Sequence, residues 1–204
     1  MNITVFGDIH SHWQQMYDAV AEHIEVRQEP VDLVLSTGDV ESLPDRARYP
    51  TIFIGGNHDR FPQRHPCEII PDLFYLGRSG VIQYENITIG GMSGEYDSSL
   101  FFSPPPSDPA DSSWGCYRLE DLPGIMRTDI DILLLHDRSL FPRPQKSAQV
   151  MHAQLLAFLQ PEYVFAGHHH AIYAEHRLGR TYIFGLEGFD GNTTEQNAKV
   201  VRLP

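Results

Sequence analysis

The chain has 204 residues and a mass of 23.2 kDa, is 41% hydrophobic and 21% charged, and carries a formal charge of −12 at pH 7. That length can bury a substantial core in one domain, while the acidity argues against tracking a long nucleic-acid backbone. No apolar run nears the ~20 residues of a membrane span, and two cysteines, Cys67 and Cys116, make no disulfide framework.

"MNITVF" enters a strand at once, without a basic and then apolar leader, so the expected location is the cytoplasm. "SHWQQMYDAVAEHIEV" follows as a helix, with Ser11 the expected N-cap and Trp13, Met16, Tyr17, Val20 and Ile24 at helical spacing. "VDLVLSTGD" and "TIFIGG" are the next buried strands. "DLFYLG" is a short one, and "GVIQY" with "ITIGG" forms a hairpin turning at Glu85 and Asn86. "FFSPPPSDPADSS" is an irregular loop. After it come a strand at "DILLLHD", a helix over residues 147–159, and strands at "EYVFAG", "AIYAEHR", "TYIFG" and "KVVRL". In that helix Val150, Met151, Leu155, Leu156 and Phe158 are the apolar positions, some combination of which is expected to face inward. No repeat or linker divides the chain, so residues 1–204 read as a single layered α/β domain with mixed sheets.

One event recurs along this order. An apolar strand ends, often at glycine, and residues able to bind metals follow at once: Asp8 and His10, Asp39, Asn57 and His58, His136, then His168 and His170. Each alone is ordinary, since a single Asp or His after a strand usually serves a turn or a hydrogen bond. Five such ends in succession form a joint signal. Asp and His without a thiolate suit Mn first, with Fe or Zn as alternatives. In an extended segment Asp8 and His10 would point to one side, as would His168 and His170. Two such pairs with a bridging carboxylate can hold two cations ~3.5–4 Å apart, the spacing of two-metal phosphoryl-transfer sites.

The series "GDIH", "GD", "GNHD", "H", "GHHH" resembles the signature of the calcineurin-like metallophosphoesterase superfamily. The resemblance implies two packed mixed sheets flanked by helices, a four-layer sandwich. It also implies that Asp8, His10, Asp39 and His170 bind one divalent metal, while Asn57, His136, His168 and the shared Asp39 bind the other. His58 resembles the catalytic histidine, and the implied reaction is attack on phosphorus by a hydroxide bridging the metals. Arg60 and Arg138 are candidate substrate clamps, and Asp59 reads as a local hydrogen-bond partner.

The protein serine/threonine phosphatases of the superfamily carry GDxVDRG and GNHE. This chain has "GDVESLPD" and "GNHD", with Ser42 in place of the acid that pairs with the catalytic histidine. Residues 51–137 are instead similar to RNA lariat debranching enzymes, although those have Cys where this chain has Asp8. Their lariat-recognition insert and C-terminal extension are not expected in 204 residues. The expected function is therefore a phosphodiesterase acting on a small or nucleotide-like substrate. The alternatives are a phosphomonoesterase, protein phosphatases included, and a non-catalytic metal-binding scaffold. Glu95, Tyr96, Trp114, Tyr117 and Arg138 are further candidates around the site. Trp114 is expected to anchor the Pro-rich loop, and His12, His23, His65, His152, His169 and His176 to be structural or solvated.

Overall fold

The computed structural model describes residues 1–127, 129–137, 146–168, 174–191 and 198–203. Its elements run β1 (Asn2–Phe6), α1 (Trp13–Arg27), β2 (Leu33–Ser36), β3 (Thr51–Phe53), β4 (Cys67–Ile70), β5 (Leu73–Tyr75), β6 (Ser79–Tyr84), β7 (Ile87–Met92), β8 (Ile132–Leu135), α2 (Lys146–Leu159), β9 (Tyr163–Ala166), β10 (Ala174–Leu178), β11 (Thr181–Gly185) and β12 (Ala198–Arg202). They form two six-stranded mixed sheets, ordered β12-β1-β2-β3-β5-β4 and β10-β11-β9-β8-β7-β6. The central strands β1, β2, β3 and β5 of the first sheet are parallel, as are β7, β8, β9 and β11 of the second; both edges of each sheet are antiparallel.

Alternation along the strands builds four layers, because successive side chains of a strand point to opposite faces. Ile3, Val5, Leu33, Leu35 and Ile52 of the first sheet share one buried cluster with Ile89, Ile132, Leu134 and Phe165 of the second. Phe6, Val34 and Phe53 face the other way and pack on Trp13, Met16, Tyr17 and Val20 of α1. On the far side Leu133, Leu135, Val164 and Ile183 meet Leu155, Leu156 and Leu159 of α2. Strands sandwiched in this way must be apolar on both faces, which is why "LVLS" and "ILLL" are buried throughout.

Two expectations need correcting here. Helix α1 is capped by His12 rather than Ser11, and without a side-chain cap bond; Ser11 has φ 65° and donates its N–H to Val40 O instead. In α2 the expected inward combination is met by Leu155 and Leu156, joined by Leu159, with Val150 and Phe158 exposed. The segment at Asp8 and His10 is not extended, because His10 has φ 42°.

The Pro-rich loop is closed by buried charge. Arg78 forks onto the Asp121 carboxylate through Nε and Nη2 at 3.0–3.1 Å. It also donates to Trp114 O and Cys116 O and lies 5.2 Å from the centre of the Trp114 ring. Arg118 adds bonds to Cys116 O and Ser113 O. Trp114 is thus the loop anchor, buried, with the guanidiniums of Arg78 and Arg64 5.2 and 5.6 Å from the centre of its ring.

Candidate metal centre

The carboxyl ends of parallel strands from both sheets meet on one edge of the molecule. From the first sheet come Asp8 after β1, Asp39 after β2, and Asn57 with His58 after β3; from the second come Glu95 after β7, His136 after β8 and His168 after β9. The six strands are neighbours within their sheets, β1-β2-β3 and β9-β8-β7, so residues 160 positions apart reach a common point. His168 N–H, for example, donates to Asp8 Oδ2 at 2.6 Å.

Ligand atoms of Asp8, Asp39 and His136 all lie within 4.8 Å of one another, and the three residues are buried. His136 is at the centre. Its Nδ1 lies 3.0 Å from Thr37 O and 3.5 Å from Asp8 Oδ1. Its Nε2 lies 2.9 Å from Asn57 Oδ1, 3.2 Å from His168 Nδ1 and 3.6 Å from Asp39 Oδ2. His168 Nδ1 in turn is 3.1 Å from Asn57 Oδ1. Two carboxylates are fixed by the close approach of glycine backbone. A Cβ on Gly56 would fall 2.0 Å from Asp39 Oδ1, and one on Gly167 would fall 2.1 Å from Asp8 Oδ1, so only glycine fits at either place.

Asp59 holds the loop that carries Asn57 and His58. Its buried carboxylate accepts from the N–H groups of Gly56 at 2.7 Å, Val40 at 3.1 Å and Glu41 at 2.6 Å. Desolvation raises its pKa, and those three N–H groups pull it back. The expected local role for Asp59 therefore fits. His58 donates its backbone N–H to Asp39 Oδ1 at 3.0 Å, and the residue is exposed. Arg60 Nη1 donates to the carbonyls of Asn57 and Asp59, both at 2.8 Å, so the guanidinium braces this turn. His10 sits at the rim, its Nδ1 2.9 Å from Glu41 Oε1. His168 has φ 72°, so it too leaves the extended conformation expected of it. His170 and Arg138 lie outside the described residues.

Other groups lie further from the cluster. Tyr117, expected near substrate, is buried, with its hydroxyl 2.8 Å from Nε2 of the buried His152. Burial lowers the His152 pKa, against the charge of Asp137, and raises that of Tyr117. Asp137 accepts the N–H of Tyr96 at 2.9 Å. Glu95 has its carboxyl raised by desolvation, with Asp137 adding to the effect, and reaches His168 Nε2 at 3.4 Å. Glu41 and Asp137 went unnoticed in the sequence. Asp137 had a signal, directly following His136, whereas Glu41 is indistinguishable there from a solvated acid.

The charge balance yields a prediction. Burial opposes protonation of His136, but the carboxylates of Asp8 and Asp39 and the bond to Thr37 O overcome it and raise its pKa to about 10. A folded value above the ordinary 6.5 means that this proton stabilises the fold fully below pH ~6.5, and that its contribution is lost as pH rises through about 10. Urea midpoints of protein treated with chelator should therefore fall between pH 7 and 10, and more steeply than those of His136→Asn. Equal slopes would show that His136 is not charged there.

Residues 1–172 match the calcineurin-like phosphoesterase family. Lariat debranching enzymes are among the similar proteins. That of Danio rerio is 26% identical, over 85% of this chain and 41% of its own length. That of Homo sapiens is also 26% identical, over 85% of this chain and 43% of its own. The likeness thus extends well beyond residues 51–137, while the chain spans about two fifths of the length of these relatives. Among solved structures, TT1561 of Thermus thermophilus superposes with a TM-score of 0.61 at 12% identity, covering 92% of this chain and 89% of that one, which shows a shared fold. With matched residues running from the first strand past the last of the strand-end ligand groups, the chain belongs to the calcineurin-like phosphoesterase family, a family of phosphoester hydrolases.

Proposed function

We propose that this edge is a two-cation site and that the protein hydrolyses phosphodiesters of nucleotide-like size. The supporting observation is the spacing of lone-pair atoms. Ligand atoms bound ~2.1 Å from one cation sit ~3.0 Å apart at neighbouring octahedral positions and ~3.4 Å apart in a tetrahedron. His136 Nε2, His168 Nδ1 and Asn57 Oδ1 stand 2.9, 3.1 and 3.2 Å from one another, with Asp39 Oδ2 at 3.6 Å from His136 Nε2. Three groups from three different strand ends thus stand at the spacing that a cation imposes, and Asp39 flanks them through His136. Asp8 on the other side of the cluster, with His10 and His170, would complete the second position, Asp39 being shared. The hard oxygen and imidazole donors favour Mn, with Fe or Zn as alternatives. Bound there, two divalent cations would supply a hydroxide near neutral pH and neutralise charge developing at phosphorus.

The residues around them select the substrate charge. Glu41 and Glu95 bring negative charge to the rim, and Arg60 is committed to two backbone carbonyls. A singly charged diester suits such surroundings better than a dianionic monoester. His58, exposed beside Asp39, is the group assigned to protonate the leaving oxygen. Residues 1–204 act as one unit in this reading, and the net charge of −12 favours a short substrate over a long nucleic acid.

The test is hydrolysis of bis-p-nitrophenyl phosphate against p-nitrophenyl phosphate with Mn²⁺. The diester should be cleaved faster, and His58→Ala should lower its turnover about 10²–10⁴-fold. Preference for the monoester would make the protein a phosphatase. Two bound ions with no cleavage of either compound would leave a metal-binding scaffold.

A further inference from the structure

Two glutamates at the rim do more than add charge. Glu41 Oε1 lies 2.9 Å from His10 Nδ1, and Glu95 Oε2 lies 3.4 Å from His168 Nε2. The contacts fall on opposite ring nitrogens. At His168 the contact leaves Nδ1 turned to His136 and Asn57, at 3.2 and 3.1 Å; at His10 the other ring nitrogen, Nε2, is the one that would bind. Resting on the two-cation reading, we propose that Glu41 and Glu95 are positioning residues, one per cation, each holding a rim histidine by its outer nitrogen and so fixing which nitrogen binds.

Neither glutamate is an ordinary surface acid paired by chance. An exposed pair usually contributes ~0–1 kcal/mol, because two flexible side chains must be held still. Here the backbone is already held. Glu41, at φ 59°, donates its N–H to the buried Asp59 at 2.6 Å, and its loop is tied to the one opposite by His10 N–H to Asp39 O and Ser11 N–H to Val40 O. Glu95 is bound on both sides, donating to Gly115 O at 2.9 Å and accepting from Tyr117 N–H at 3.2 Å. A histidine that gives its second N–H to a carboxylate is locked in one tautomer and one ring orientation and becomes a stronger ligand.

The experiment is a Mn²⁺ titration followed by the paramagnetic signal of the free ion, on the wild type and on Glu41→Ala, Glu41→Gln, Glu95→Ala and Glu95→Gln. The wild type should take up two ions. Each Ala variant should bind one of them ~10–100-fold more weakly while the other is unmoved; each Gln variant, whose amide oxygen still accepts, should fall between. Thermal midpoints without metal should agree with the wild type. Ring-nitrogen NMR of metal-free protein should show His10 protonated at Nδ1, and this preference should be lost in Glu41→Ala. Two ions in the wild type with unchanged affinities in the Ala variants would overturn the inference and leave the two-cation site standing. Fewer than two ions in the wild type would overturn both.

Discussion

Replacing Asp39 with Asn should lower turnover of bis-p-nitrophenyl phosphate about a thousandfold, ~4 kcal/mol of transition-state stabilisation, and reduce the Mn²⁺ bound from two ions to one or none. Asp39 has two distinct roles in the structure. Oδ1 accepts the His58 N–H, a role that an amide oxygen can keep, while Oδ2 faces His136 Nε2 at 3.6 Å, where a formal charge matters. The substitution keeps the shape, so the loop at residues 55–60 should hold, and the melting temperature without metal is the control. A neutral amide in place of the carboxylate also removes one of the charges that keep His136 protonated, so the fall in stability with pH should end at lower pH and be smaller in total. Unchanged turnover and two bound ions would remove Asp39 from the shared position.

The largest effect on stability is expected from Arg78→Met, at about 3–5 kcal/mol, the usual cost of leaving one partner of a buried ion pair alone. Arg78 and Asp121 are 4% and 7% exposed, and the guanidinium also satisfies two carbonyls of the 114–116 turn. Without it, Asp121 keeps the Arg118 N–H at 2.8 Å but loses its counter-charge. The damage should reach the site by a short route. Gly115 O receives the Glu95 N–H, and a Cβ on Gly115 would fall 2.4 Å from Asn57 O, so the turn lies directly against the Asn57 loop. Urea denaturation measures the loss, and faster protease cleavage within residues 101–121 would locate it. A change under ~1 kcal/mol, with the loop still protected, would mean that Trp114 and Arg118 hold it unaided.

Much of this was legible in the sequence because it depended on short-range pattern. Continuous apolar runs such as "ITVF", "LVLS" and "ILLL" mark strands buried on both faces, and ligand types directly after such strands mark the site edge. What was missed depended on partners distant in sequence or on local strain. β4 (Cys67–Ile70) is a half-buried edge strand after Pro66 whose pairing with β5 shifts register between Glu68 and Ile70, so it lacks a regular apolar stripe. Positive φ at His10, Ser11, Asp39, Glu41 and His168 is not legible from residue type, because it is uncommon outside glycine even in Asp and His, where it is enriched. It arises where chain turns meet, and it moves the cap of α1 from Ser11 to His12. The carboxylate partners of His10 and His168 become apparent only when the two strand-end loops lie side by side.

The candidate ligand groups are divided between the sheets, with Asp8, Asp39 and Asn57 on one and His136 and His168 on the other. Neither sheet alone carries the full donor set of the proposed site, so a folding intermediate with a single layer formed should hold a cation more weakly than the native protein. Cation uptake during refolding should therefore coincide with the docking of one layer on the other, making a spectroscopically active ion such as Co²⁺ a timer for that event. An ion seated there would tie the two layers together at one edge, opposing their slippage over the apolar face that separates them.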